Sequence, residues 1–326
     1  GALGEKRVEK TAEVLGRTDL AVLVIDSQKG VTEHDRELKR IIAFRGIRLI
    51  EAWNKADLKK PAGLPENAVA VSAKTGEGVT ELKERIAALG KKEERVIVAD
   101  LLPKNACAVL VMPIDESAPK GRLILPQQLV LRELLDHNMT ALCCQPAQLN
   151  ALLSRLTEPP AMVITDSQAF GPVSKSVPES VPLTSFSILM ARFRGELFSQ
   201  LNGVNVLRNL KDGDLVQISE GCTHHRQCRD IGTVKLPGWI EAYSGAKPEY
   251  RFTSGGGFPK DLSGVKLIVH CGGCMLPQAE MHTRAEAAAE AGVSMVNYGV
   301  AIAAMHGILA RSIAPIPGAA AALSGS

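Results

Sequence analysis

Short apolar runs that stop at a polar or ligand-type residue, then give way to a helix-periodic stretch, recur along this chain. Asp19–Ile25 stops at Asp26, Ile47–Trp53 stops at Asn54 and Ala68–Val71 stops at Ser72. Further on, Ala106–Met112, Thr140–Cys144 and Ala161–Thr165 repeat the pattern, and Asp214–Ser219 and Val265–Val269 run into Cys222 and His270-Cys271. Runs apolar on both faces, alternating with helices, predict parallel sheets covered on two sides. The fold class is therefore α/β, and open parallel sheets gather their ligands at the carboxyl ends of their strands. For the last part of the chain this predicts one parallel sheet with Asp166, Cys222, Cys271 and Asn297 along a single edge.

A chain of 326 residues makes two or three domains. The alternation and a charged junction at Lys91–Arg95 divide it into three α/β units at 1–92, 93–160 and 161–326. Net charge is +3, from 38 basic and 35 acidic residues, which gives no nucleic-acid footprint. No uncharged apolar run reaches membrane-spanning length, so no membrane partner is expected. Seven cysteines, an odd number and several of them in apolar runs, fit a reducing cytoplasmic interior better than a disulfide framework. Cys107, Cys143 and Cys144 read as core residues. No serine has the context of a hydrolase nucleophile. The middle unit is a small β-α-β piece, too small to cover both faces of its own sheet. Its helix Gln127–Asp136 carries Leu129, Val130, Leu134 and Leu135, a face for which self-association is the natural cover.

Two strand ends in the first unit carry related motifs. Asn54-Lys55-Ala56-Asp57 can present a carboxylate to the N1–H and exocyclic amine of guanine, with the lysine stem along the base. Ser72-Ala73-Lys74 supplies a backbone N–H towards the guanine carbonyl. Adenine reverses that donor pattern and would leave buried polar groups unpaired. The nucleotide set is thus Asn54, Lys55, Asp57, Ser72, Ala73 and Lys74. Together the motifs resemble the base-specificity elements of translation-factor-type P-loop GTPases. No Gly-x-x-x-x-Gly-Lys-Ser/Thr occurs in the sequence, and no Asp-x-x-Gly precedes Asn54, where a GTPase would carry the one that contacts the γ-phosphate and magnesium side. The expectation is a partial GTPase domain whose phosphate-binding half lies upstream of Gly1; the chain as given recognises guanine without hydrolysing GTP.

In the last unit, Cys222-Thr-His224 and His270-Cys271-Gly-Gly-Cys274 each follow a strand. On adjacent parallel strands the two halves would bring three thiols and two imidazoles to one spot. Thiolates select soft metals, zinc or iron–sulfur, over hard cations. Three cysteines leave one iron of a four-iron cubane without a thiolate, open to His224, His270, a carboxylate, water or an incoming molecule, whereas closed zinc wants a fixed fourth ligand. His225 and Cys228 are surplus ligand types in the first loop, and the roles of Arg192 and Arg194 on the preceding helix stay open between solvated charge and anion holding.

This combination resembles the HydF family of [FeFe]-hydrogenase maturation GTPases. Besides the two guanine motifs and both cysteine motifs, the resemblance rests on Pro119–Ile124, Ile164–Gln168, Thr184–Ile188 and Asn297–Gly299. It implies a GTPase domain, a dimerisation domain and a cluster-binding domain. It further implies a [4Fe–4S] cluster on Cys222, Cys271 and Cys274, with GTP and Mg2+ at the nucleotide site and K+ as a candidate second cation. The implied role is a homodimeric scaffold that takes a transient diiron precursor, built with radical-SAM maturases, and passes it to apo-[FeFe]-hydrogenase. The alternatives are a redox iron–sulfur protein and a regulatory GTPase with a structural zinc.

Overall fold

The computed structural model describes residues 14–15, 18–44, 46–90, 95–114, 123–221, 231–274 and 276–324. It divides into two compact units at Arg95, with Pro277–Thr283 grouped with the first. All of its sheets are parallel, as expected from the apolar runs.

In the first unit β1 (Leu20–Asp26), β2 (Arg48–Asn54) and β3 (Ala68–Ala70) form a sheet in the order β1-β2-β3. Helices Glu33–Phe44 and Val79–Gly90 follow β1 and β3. Ile50, Ala52, Val69 and Val71 make its core, with Leu20, Leu82 and Ile86 packed against them. In-register pairing sets Asp26 beside Asn54, so both polar strand ends share one edge.

The second unit holds two four-stranded sheets. The first joins β4 (Cys107–Val111), β5 (Thr140–Cys144), β6 (Met162–Thr165) and β7 (Leu183–Ser185) in the order β5-β4-β6-β7. The second joins β8 (Leu215–Glu220), β9 (Glu249–Ser254), β10 (Val265–His270) and β11 (Ser294–Asn297) in the order β11-β10-β8-β9.

Four expectations are corrected here. The strand ending at Asp166 pairs with β4, not with the strands that lead to the cysteine motifs. Asp166 accepts a hydrogen bond from Gln127 Nε2 at 2.8 Å. The stretch Leu183–Leu201 is not one helix. A three-residue strand is followed by helices Phe186–Arg194 and Leu197–Arg208, interrupted where Gly195 turns left-handed at φ 80°. Within the segment between the cysteine motifs, helix Leu236–Ser244 and strand β9 are regular elements where a loop-rich insertion was expected. Finally, Cys143 is exposed on edge strand β5 instead of lying in the core.

The predicted need for a partner over helix Leu125–Asp136 is also largely met within the chain. Val130 and Leu134 are fully buried against Ile97, Val98, Phe186, Leu189 and Met190. Leu135 stays 57% exposed. The opposite face of the sheet, through Val109, Val111, Val163 and Leu183, enters a core that also contains Val216, Ile218, Leu267, Val269 and Val296 of the second sheet. Sequence order suggested a small unit with one bare side; the chain covers that side with its own downstream half.

Candidate functional site

The guanine motifs meet at the carboxyl edge of the first sheet. Asn54 ends β2, and Lys55 takes the left-handed conformation at φ 68°, a turn that Asn and Gly tolerate better than Lys. Asn54 Oδ1 accepts the Lys55 N–H at 2.8 Å and the Ala73 N–H at 3.0 Å, tying the two motifs together. Ser72 Oγ donates to Asp57 Oδ1 at 2.7 Å and accepts the Thr75 N–H at 3.2 Å. The Ala56 N–H reaches Val71 O at 3.1 Å, so loop and strand are laced by backbone as well. Ser72 is buried, whereas Lys55, Asp57, Ala73 and Lys74 are exposed. All six predicted nucleotide residues therefore gather at one strand-end edge, with Ser72 buried beneath the others. Asp26, not singled out from sequence, receives Lys55 Nζ at 2.6 Å. That hydrogen bond, with the Gln28 N–H, holds its carboxyl below the usual value.

At the second sheet's carboxyl edge, register places Ser219, His270 and Asn297 side by side on β8, β10 and β11. The Cys271 N–H continues the ladder to Ser219 O at 2.9 Å. The Cys271 sulfur accepts the Gly221 N–H at 2.9 Å and the Gly273 N–H at 3.4 Å. Burial pushes the Cys271 thiol up, and those two amides oppose the shift. Gly221 lies so near the cysteine loop that an added Cβ would meet Leu276 Cδ1 at 2.8 Å and Gly273 Cα at 3.3 Å. Gly273 itself is left-handed at φ 57°, which the tight turn between Cys271 and Cys274 requires. Asn297 caps helix Tyr298–Met305 through Val300 N at 2.7 Å, a local structural task.

Cys222, His224, His225 and Cys228 lie outside the described residues. The structure thus brings Gly221, the residue before Cys222, onto the Cys271 sulfur. Among the described residues no group of three or more His, Cys, Asp or Glu side chains gathers around one point.

His270 has both ring nitrogens engaged. It is 1% exposed, with Nδ1 at 2.6 Å from Cys271 O and Nε2 at 3.0 Å from an Arg284 guanidinium nitrogen. A guanidinium only donates, so Nε2 is the acceptor and Nδ1–H the donor. Burial, reinforced by Arg284 and Arg194, pulls His270 down to about 4, and the Cys271 carbonyl opposes it. This neutral, doubly bonded imidazole has no lone pair free for a metal. Arg284 also donates to Gly255 O at 2.8 Å and sits 5.2 Å from the Phe258 ring centroid. Sequence reading passed over Arg284 because its Ala/Glu-rich helix has no strong apolar stripe to mark a buried face.

Whether the cysteine edge suits an iron–sulfur group is testable on the donor set. Two thiols flank a glycine turn, and one sulfur accepts two backbone N–H bonds of the kind that stabilise a metal-bound thiolate. Arg194 adds a guanidinium bonded to Gly273 O at 2.7 Å, with its other terminal nitrogen buried and unpartnered. These residues fit an anionic, sulfur-ligated group.

Two family models match the second unit. The hydrogen maturase F dimerization domain covers residues 97–195 and the hydrogen maturase F tetramerization domain covers residues 196–315, together about two thirds of the chain. The chain belongs to the hydrogen maturase F family. The domain limit at 195/196 falls after β7, so the first four-stranded sheet lies wholly in the dimerization domain of hydrogen maturase F and the second in the tetramerization domain.

Over part of its length this hydrogen maturase F chain is also similar to GTPases. The tRNA modification GTPase MnmE of Geobacter sulfurreducens is 38% identical over 84 residues, which is 24% of this chain and 18% of that protein. The GTPase Era of Thermotoga petrophila is 34% identical over 97 residues, 26% of this chain and 32% of that protein. The chain therefore spans a third or less of the length of these relatives. A solved NtrC-family transcriptional regulator from Clostridium acetobutylicum is 15% identical and covers 60% of this chain and 88% of its own, but its TM-score of 0.21 carries no argument.

Proposed function

We propose that this hydrogen maturase F chain is the guanine-recognising, cluster-carrying part of a GTPase scaffold. In this reading Cys222, Cys271 and Cys274 hold a [4Fe–4S] cluster, and the protein delivers a diiron precursor to apo-[FeFe]-hydrogenase. The observation that supports it most is the coincidence of the Cys271 sulfur, the Gly221 amide and the Cys274 turn at the carboxyl edge of the tetramerization-domain sheet. The cluster would supply an iron corner without a thiolate, a port for exchange.

The chain's own residues do the holding. The Gly221 and Gly273 amides lower the cost of negative charge on the Cys271 sulfur. His270, pinned by Arg284, fixes the Cys271 carbonyl and so the direction of the glycine turn. At the other site Asp57, steadied by Ser72, faces the base, and the Ala73 amide exchanges Asn54 for the guanine carbonyl. The intact protein would hydrolyse GTP with Mg2+ to regulate partner exchange with the radical-SAM maturases and the hydrogenase.

Anaerobic reconstitution with iron and sulfide, followed by metal analysis and electron paramagnetic resonance, tests the reading. About four irons and four sulfides per chain, with a spectrum altered by added cyanide or imidazole, are expected for a cubane with one open corner. Cys271→Ser should abolish assembly while the fold is kept. One tightly bound zinc without iron or sulfide would sink the proposal.

A further inference from the structure

Of the two arginines at the end of helix Phe186–Arg194, only one has its hydrogen bonds filled. Arg192 donates to Val96 O and Ile97 O at 3.0 Å each and pairs with Asp100. Arg194 turns the other way. Its one bonded terminal nitrogen reaches Gly273 O, the carbonyl between the two cysteines, at 2.7 Å. Its second terminal nitrogen is buried without a partner. Burial weakens its hold on the proton, and the nearby groups that strengthen it are Glu196, followed by the thiols of Cys274 and Cys271.

A guanidinium stays protonated in any protein setting, so this is a half-buried cation carrying a buried, idle donor. Such an arrangement costs free energy unless an anion completes it. Three thiolates on a four-iron cubane leave a net anion that gains a further negative charge on reduction. Glu196 supplies a nearby negative charge but no acceptor to this nitrogen, and the sulfur of such a group has the chemistry to accept its N–H.

We infer that Arg194 is the positioning cation of the cysteine site: it fixes the glycine turn through Gly273 and gives its second N–H and its charge to the sulfur-ligated anion bound there. This rests on the cluster-carrying reading above and names a residue of that site. A cation beside the anion favours the reduced state, so removing it lowers the reduction potential; it also loosens retention.

The test uses the full chain reconstituted anaerobically with iron and sulfide as wild type, Arg194→Met, Arg194→Lys and Arg192→Met. Readouts are the reduction potential, from a redox titration followed by electron paramagnetic resonance, and the rate of iron loss to a chelator. Expected are a more negative potential and about tenfold faster iron loss in Arg194→Met, the factor that corresponds to one charge-assisted hydrogen bond. Arg194→Lys should recover most of the potential, and Arg192→Met should match wild type. A loaded Arg194→Met with wild-type potential and retention overturns the inference. If Arg194→Met does not load, a loaded Arg194→Lys near wild-type potential upholds it, and a Lys variant that also stays empty overturns it. Failure of the wild type itself to take up iron and sulfide would be a failure of the cluster reading, distinguishable from this one.

Discussion

Gly78, in the turn that follows the Ser72-Ala-Lys74 motif, offers a sharp test of how the guanine edge is built. Gly78 and Gly63 both adopt left-handed backbone, at φ 72° and φ 67°. At Gly63 an added Cβ would meet nothing within 4 Å, whereas at Gly78 it would overlap the Ala70 carbonyl oxygen, with Ala70 C at 3.1 Å and Val71 Cα at 3.2 Å. Gly63→Ala then carries only the conformational penalty, about 1 kcal/mol. Gly78→Ala carries the same penalty plus an overpacking cost of about 1–3 kcal/mol, because the obstacle is backbone and cannot rotate away. For a unit of this size each kcal/mol moves a melting midpoint by roughly 4–8 °C. Gly78→Ala should therefore melt the first unit at least about 4 °C below Gly63→Ala. Hydrogen exchange read by mass spectrometry would localise the loss to the peptide spanning Ala68–Glu77, where the Val71, Ser72 and Gly76 amides are bonded to Trp53 O, Glu77 O and Ser72 O. Equal melting of the two variants, with unchanged protection of that peptide, would refute the claim that Gly78 lets the motif loop close on β3.

Other perturbations separate the remaining parts. Asp57→Asn exchanges an acceptor for a donor opposite the base, so guanine affinity should fall at least about tenfold and xanthine affinity rise, read by competition with a fluorescent nucleotide on the intact protein. Leu134→Ala empties a fully buried site between helix Leu125–Asp136 and its neighbours and should cost about 2–5 kcal/mol by denaturant unfolding; Leu135→Ala, at 57% exposure, should change the self-association constant more than the fold. The Asp26 carboxyl is depressed by Lys55, so the pair's contribution is complete above the ordinary carboxylate value of 3.8 and is lost as pH falls through the lower folded value. A nuclear magnetic resonance titration should place the Asp26 midpoint below 3.8, and Lys55→Ala should return it upward.

The parallel sheets and their polar strand ends were legible in the sequence because strands covered on both faces are continuous apolar runs, as in Ala108–Val111. The meeting of the Asn54 and Ser72 motifs was legible for the same reason: each follows a strand, and neighbouring parallel strands bring their ends together. What stayed hidden was which runs share a sheet. Nothing in Met162–Thr165 itself says that it joins Cys107–Val111 and not Leu215–Glu220; that choice depends on how the intervening helices pack. β9 was missed because Glu249–Ser254 is an edge strand with only two apolar residues, Tyr250 and Phe252, too short an alternation to stand out. Arg194 and Arg284 show the limit most clearly. Each lies on a helix where charge normally means solvent, and only the fold reveals that their guanidinium groups turn inward to Gly273 and His270.

The apolar interior shared by the two four-stranded sheets has a practical meaning for anyone dividing this protein into pieces. Val109 and Val163 share that interior with Leu267 and Val296, so cutting at 195/196 strips a wall from both halves at once. Either fragment expressed separately would show a wet, greasy flank and precipitate or bind chaperones, and only co-expression would restore a soluble product. The two named domains, sharing one interior, are therefore expected to melt as one.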